Sequence, residues 1–220
     1  MLLLIDKPKG WTSFDVVAKV RGILHEKKVG HGGTLDPNAT GLLIIGTGVD
    51  TKKLGEITKN TNKEYEAEIF LGKVSTTDDV DGEIKIFNEE IKPSEKEIKK
   101  TLKNFEGEQT QIPPIYSAIK MNGKKAYELA REGENPVMEP RKVTIYSIKL
   151  VDYEYPILKL ICEVSSGTYI RTLAKNIGEK LSTGAYLKEL RRTKVGEYEV
   201  QKAITLQELQ QLQKQEQPTH

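Results

Sequence analysis

Hydrophobic and polar positions along the chain switch between two periods. An apolar run opens it, and 2–6 reads as a buried strand. After the turn Lys7-Pro8-Lys9-Gly10, Ser13 is expected to cap a helix whose apolar face is Phe14, Val17, Ala18 and Leu24, ending near His25. A glycine-rich segment, 30–41, runs into a β-type stretch at 42–46; 50–59 reads as a helix and 63–71 alternates as a strand. Helical spacing of Ile98, Leu102 and Phe105 follows the Pro93-Ser94 start in 92–105. Strands are expected on both sides of Pro113-Pro114, then a short helix over 124–131. The stretches 141–153 and 157–165 form an antiparallel pair around Pro156; 168–181 is a helix, 186–193 an extended or mixed segment, and 206–214 a polar, Gln-rich terminal helix. Strands and helices do not alternate strictly, and several strands are joined by hairpin-length connections. The pattern therefore favours a mixed α+β class over a doubly wound sheet.

Composition narrows the functions available. A chain of 220 residues can bury roughly 70 to 75% of its unfolded surface, so it needs no staples. One cysteine, Cys162, excludes an intramolecular disulfide framework, and three histidines leave little material for a metal cage. The first residues lack a basic leader, a long apolar core and a cleavage site, and no stretch approaches the roughly 20 apolar residues that span a bilayer. A cytoplasmic, metal-independent protein is the expectation. Charge is nearly balanced, 34 Lys plus Arg against 32 Asp plus Glu, so overall charge does not announce a polyanion binder. The local clusters Lys27-Lys28, Lys120 with Lys124-Lys125, Arg141-Lys142, and Arg191-Arg192 with Lys194 could attract phosphates or simply be solvated surface.

The stretch Val29-Gly30-His31-Gly32-Gly33-Thr34-Leu35-Asp36-Pro37-Asn38-Ala39-Thr40-Gly41 carries the chemistry. Its glycines admit positive φ and close approach of a large partner, and Pro37 keeps Asp36 out of helical geometry, so one acid is presented with little freedom. A phosphate loop would need a Lys-Ser/Thr ending that is absent, and a dinucleotide fingerprint would open a helix where Pro37 stands. A purely structural Gly/Asp/Pro turn stays open at this point. Asp79-Val80-Asp81-Gly82 suggests calcium only superficially, because Asn88 falls where the closing Glu belongs; a turn between strands is the plain reading.

The segment 30–41 resembles the signature loop of the TruB family of tRNA pseudouridine synthases. So do Asp6-Lys7-Pro8-Lys9-Gly10, Thr51-Lys52, Lys63-Glu64-Tyr65, Asp79 to Gly82, Gln111 to Lys120, Gly167-Thr168-Tyr169-Ile170-Arg171-Thr172-Leu173 and the stretch 187–191, in the family's order over roughly residues 2–200. The resemblance implies a pseudouridine synthase fold: a central mixed, mainly antiparallel sheet flanked by helices, with an RNA-gripping insertion at about 111–142. It implies isomerisation of uridine to pseudouridine at position 55 in the T-loop of tRNA, through base flipping, with no cofactor.

By the same resemblance Asp36 is the catalytic residue, Arg171 its counter-charge, and Tyr65 the active-site tyrosine that stacks on the target base. His31 would enter the T-loop and fill the space left by flipped nucleotides. Tyr169 and Leu190 would line the pocket, and Lys7, Lys52 and Lys120 would join substrate binding. Read by residue type alone, an Arg in a helix's first turn is exposed and a strand Tyr is core packing.

Residues 1–203 are expected to form the catalytic domain and 204–220 a terminal helix or tail. The twenty residues after Val200 are too few for the PUA-type RNA-binding domain that bacterial relatives carry, so a protein-only enzyme acting on the T-arm of tRNA as a monomer is expected. It would use no guide RNA, no obligatory protein partner and no membrane. Two other classes remain: a non-catalytic tRNA-binding or folding module on the same scaffold, and a glycosidase, which normally needs a second acid across the sugar.

Overall fold

The computed structural model describes residues 1–59, 61–117, 119–121, 123–134 and 136–216. In chain order the elements are β1 (Leu2–Lys7), α1 (Ser13–Leu24), β2 (Val29–Gly32), β3 (Thr40–Thr47), a 3-10 turn (Gly48–Lys52), α2 (Leu54–Thr58) and β4 (Lys63–Leu71). Next come β5 (Lys73–Ser75), β6 (Ile84–Ile86), α3 (Glu95–Lys103), β7 (Gly107–Gln111), β8 (Lys120–Met121), β9 (Lys124–Lys125) and α4 (Ala126–Arg131). The chain closes with β10 (Arg141–Glu154), β11 (Ile157–Val164), α5 (Ile170–Lys180), β12 (Ala185–Val195), β13 (Tyr198–Glu199), a short 3-10 turn (Val200–Lys202) and α6 (Leu206–Glu216). The strands pair mainly antiparallel, as the α+β reading expected. The chain divides into two compact units, residues 1–66 with 190–220, and residues 67–189.

In the first unit β3 is the central strand. It pairs antiparallel with β1, from Leu2↔Gly46 to Lys7↔Gly41, and with β2, from Val29↔Thr47 to Gly32↔Ile44. The end of β12 joins it in parallel at Arg191↔Thr40 and Arg192↔Gly41. Leu43 and Ile45 pack with Ile5 against Val16, Val17 and Val20 of α1 and Leu206 and Leu209 of α6. Leu42 and Ile44 pack on the other side with Leu54, Val195 and Val200. Covered on both faces, the middle of the strand, Leu42 to Ile45, is continuously apolar rather than alternating. Helix α6 is Gln-rich, yet Leu206 and Leu209 seat one side of it in the core. The last residues of the expected tail, 217–220, lie outside the described residues.

Local reading of α1 needs two corrections. Its N-cap is Thr12, whose hydroxyl accepts from Asp15 N while the Asp15 carboxylate accepts from Thr12 N, a reciprocal capping box. Ser13 is the first helical residue and is buried. The buried face is Ser13, Val16, Val17 and Val20, whereas Phe14 is 66% exposed and Ala18 also faces solvent. The expected helix at 50–59 is a 3-10 turn followed by the short α2.

In the second unit the antiparallel pair β10–β11 runs from Glu154↔Ile157 to Ile145↔Val164, and β7 adds to β10 from Arg141↔Gln111 to Ile145↔Gly107. Helix α3 begins at the capping box of Ser94 and Glu97 and buries Ile98 and Leu102, as its periodicity expected, but it ends at Lys103, so the third expected position, Phe105, falls beyond the helix and is half-buried. In the stretch between Pro113-Pro114 and the helix, the described residues form the two-residue strands β8 and β9, which pair Lys120↔Lys125, so the helix expected from 124 starts at Ala126. Ala118, within the Gln111 to Lys120 stretch, lies outside the described residues. Cys162 is buried in the second unit.

Candidate active site

The first unit builds its site around the loop joining β2 to β3. Gly41, at φ +98°, sits where a Cβ would meet the backbone oxygen of Arg192 at 2.3 Å, so only glycine lets β12 lie against this turn. The large partner that its glycine admits is the chain's own strand. Arg192 is 1% exposed, donating from Nε to Leu42 O at 2.8 Å and from Nη2 to Gly33 O at 3.0 Å. One guanidinium thus holds both flanks of the loop.

Two more groups fasten the middle. The buried Ser13 hydroxyl accepts from Leu35 N at 3.0 Å and donates to Leu35 O at 3.2 Å, clipping the residue before Asp36 to α1. Lys7 has no exposed surface, and its ammonium donates to the carbonyls of Pro8 (2.9 Å), Trp11 (2.6 Å) and Pro37 (3.1 Å). Gly10 N also donates to Pro37 O, at 2.9 Å, and Ala39 N to Asp36 O, at 3.1 Å. Burial pulls the Lys7 amine down to about 8, opposed by the attraction of Asp36 and assisted by repulsion from Arg192. Lys7, expected among the substrate-binding residues, is placed beneath the loop as a buried anchor. Asp36 itself is half-buried between these fixings.

His31 is the next-to-last residue of β2, just before the loop. Its ring meets Phe14 edge-on, with centroids 5.4 Å apart and planes at 87°. Burial, then repulsion from Arg192, lowers its pKa, favouring the neutral imidazole, and its buried Nδ1 has no hydrogen-bond partner among the described residues. Tyr65 is buried on β4, Leu190 is half-buried with its carbonyl accepting from Thr40 Oγ1 at 3.4 Å, and Lys52 is exposed at the end of the 3-10 turn. Lys63, also expected only as the opening of a strand, is buried; desolvation and then Arg192 lower its amine to about 8, and it donates to Thr58 O and Thr61 O.

The basic cluster at 191–194 is not a free electropositive patch. Arg191 makes a two-point pair with Asp6 at 3.0 and 2.7 Å, Arg192 is buried, and Lys194 lies near Glu64 and Glu199. Lys124 and Lys142 likewise face Glu132 and Glu108.

In the second unit Arg171 stands in the first turn of α5, 4% exposed, where an isolated reading of residue type expects an exposed cation. Its guanidinium faces Asp79 at 3.4 Å and donates to Thr77 O at 3.3 Å and Tyr116 O at 2.9 Å. Asp79 is fixed in turn by donation from the Thr77 hydroxyl and from Asp81 N. The Asp79 to Gly82 stretch is therefore a turn with a job, holding an arginine, which its sequence alone did not disclose. Gln111 clamps the helix entrance from both sides, accepting from Tyr169 N at 3.0 Å and donating to Tyr169 O at 3.3 Å. Tyr169 is the N-cap residue of α5 and half-buried; Lys120 is exposed on β8. Among the described residues no group of three or more His, Cys, Asp or Glu could hold a metal ion, and no helix is long and apolar enough to cross a membrane.

Residues 21–170 match the TruB family pseudouridylate synthase N-terminal domain, and residues 171–219 match the tRNA pseudouridylate synthase B C-terminal domain. The chain is 46% identical over 203 residues to tRNA pseudouridine synthase B of Endomicrobium trichonymphae, covering 92% of this chain and 88% of that protein. It is 47% identical over 214 residues to the protein of that name from Alkaliphilus oremlandii, covering 96% and 70%. Among solved structures it is similar to a chain of a Cbf5-Nop10-Gar1 complex, with TM-score 0.75 and 32% identity, covering 96% of this chain and 53% of that one. It also resembles a chain of an H/ACA RNP bound to a substrate RNA containing 2'-deoxyuridine, with TM-score 0.70 and 29% identity. The chain spans about half the length of these structural neighbours.

Proposed function

The chain belongs to the TruB family of pseudouridylate synthases, and we propose that it isomerises uridine to pseudouridine at position 55 in the T-loop of tRNA, unaided by a guide RNA. The observation that carries this reading is the Asp36 loop. A single carboxylate stands on a backbone fixed by Arg192, Ser13 and Lys7, the kind of preorganised group that a reaction at a ribose carbon requires.

The isomerisation breaks the bond from uracil N1 to ribose C1′, turns the base, joins C5 to C1′ and moves the C5 proton away, with N1 ending protonated. Electrons balance without an oxidant or reductant. Asp36 acts as an ionised carboxylate, whether it adds to C1′ or removes a C2′ proton. Arg171 supplies the cation that keeps a carboxylate ionised beneath a flipped base, where desolvation alone would favour its protonated form. Tyr65 stacks on the target uracil, Tyr169 and Leu190 complete the apolar enclosure, and neutral His31 occupies space vacated in the RNA loop. Lys52 and Lys120 contact phosphates; Lys7 acts indirectly, by holding the loop. Recognition of the T-arm rests on the chain itself as a cytoplasmic monomer.

The test is conversion of an unmodified tRNA transcript by the purified chain without guide RNA, read by chemical derivatisation and primer extension. Pseudouridine is expected at position 55, and Asp36→Asn should reduce turnover by at least about a thousandfold while RNA affinity stays within a few-fold. Full turnover by Asp36→Asn would remove the assignment.

A further inference from the structure

The helical pattern of α1 assigns Phe14 to the core, yet its side chain is 66% exposed. An exposed phenyl ring on the first turn of a helix has no structural requirement to be aromatic, because the core of this unit is completed by Val16, Val17 and Val20. Its location is constrained instead. Ser13, the preceding residue, is hydrogen-bonded twice to Leu35, the residue before Asp36. On the other side Phe14 meets His31, which leads into the same loop. Two aromatic rings from two different elements are thus tied within a residue or a few of the candidate catalytic carboxylate.

We propose that Phe14 is a nucleobase-stacking residue that, together with His31, receives an unstacked base of the substrate RNA loop other than the target uridine and so sets the register of that loop over Asp36. The inference rests on the RNA reading above and deepens it by naming a specificity residue. The phenyl ring offers no donor or acceptor, so the contact reads the presence of a base and its stacking strength rather than its hydrogen-bonding edge. Stacking of this kind accepts any base at the position and rejects an abasic one.

Affinity for an unmodified T-stem-loop RNA, read by fluorescence anisotropy, tests the idea independently of turnover. Phe14→Ala and Phe14→Leu should each weaken binding about tenfold, whereas Phe14→Trp should hold or tighten it. Leucine preserves apolar bulk without a π-face, so it separates stacking from packing. Thermal melting of all three variants should stay close to wild type, since the ring is largely exposed. One abasic loop position should weaken wild-type binding about tenfold and add nothing further in Phe14→Ala. Unchanged affinity in Phe14→Ala, rescue by leucine, no RNA binding by the wild type, or abasic effects that add at every position would each overturn the proposal. A Phe14-dependent dimer in sedimentation with unchanged RNA affinity would show a contact between copies and overturn it too. Phe14-dependent binding with no pseudouridine formed would sink the enzyme reading and leave this one standing.

Discussion

Each of the two units buries one arginine almost completely, and the two are used differently. Arg192 donates to the carbonyls of Leu42 and Gly33 and so staples a loop of its own unit. Arg171 faces a carboxylate, Asp79, as well as the carbonyls of Thr77 and Tyr116. A guanidinium whose hydrogen bonds go to fixed backbone oxygens is a structural clamp: remove it and buried acceptors lose their partners. A guanidinium held by a carboxylate at the mouth of a helix is a positioned charge whose planar fork is its useful feature. The same residue type, equally buried, thus serves shape in one unit and, on the proposed reading, chemistry in the other.

The sharpest way to break this contrast is to replace each arginine by lysine. Arg171→Lys keeps the charge and loses the fork; it should lower kcat/KM on the tRNA transcript on the order of a hundredfold, and it should also cost about 1 kcal/mol of stability, because the carbonyls of Thr77 and Tyr116 lose a donor. Arg192→Lys should weigh more on stability, costing about 3 kcal/mol through the carbonyls of Leu42 and Gly33 that it leaves unsatisfied, measured by urea denaturation. Equal effects of both changes on both measurements would erase the distinction.

A smaller effect is expected at Lys7, the second fastening of the Asp36 loop. Lys7→Met should cost about 2 kcal/mol of stability and lower kcat more than it raises KM, because Pro8, Trp11 and Pro37 lose a donor. Its pH signature has a definite sign. The amines of Lys7 and Lys63 are lowered from 10.5 to about 8 in the folded chain. Between those values the unfolded chain holds more protons, so these two groups make stability rise with pH from about 8 to 10.5 and contribute a constant cost below. The gain in urea midpoint between pH 7.5 and 9.5 should therefore shrink in Lys7→Met; an unchanged gain would mean that this amine does not titrate there.

The smallest effect separates a buried cation from an exposed one. Lys120→Ala should leave stability unaltered and reduce the slope of log affinity against log salt by about 0.7 to 0.9, the loss of one phosphate contact. An unaltered slope would place Lys120 off the RNA path.

How much of this was legible beforehand varied with the range of the interaction. The strand β4 at 63–71 and the pair β10–β11 were readable because alternation and hairpin length are local. Helix α3 was readable because Ser94 and the spacing of Ile98 and Leu102 lie within three turns. The loop around Asp36 was readable as constrained, since glycines and a proline restrict their own backbone. Phe14 was misread, because a 3.6-residue period marks which residues share a helix face but not where the edge of the covered surface falls.

The sequence by itself determined the order of elements, the mixed α+β class and a rigid acidic loop, each dictated by steric and hydrophobic preferences acting over a few residues. Tertiary structure alone decided which charges are buried and against what. Asp6 meets Arg191 across 185 positions, and Arg192 reaches Leu42 across 150. Such pairs carry no periodic or capping signal, because the energy of a charge depends on how much water the folded chain removes around it and which polar groups replace that water.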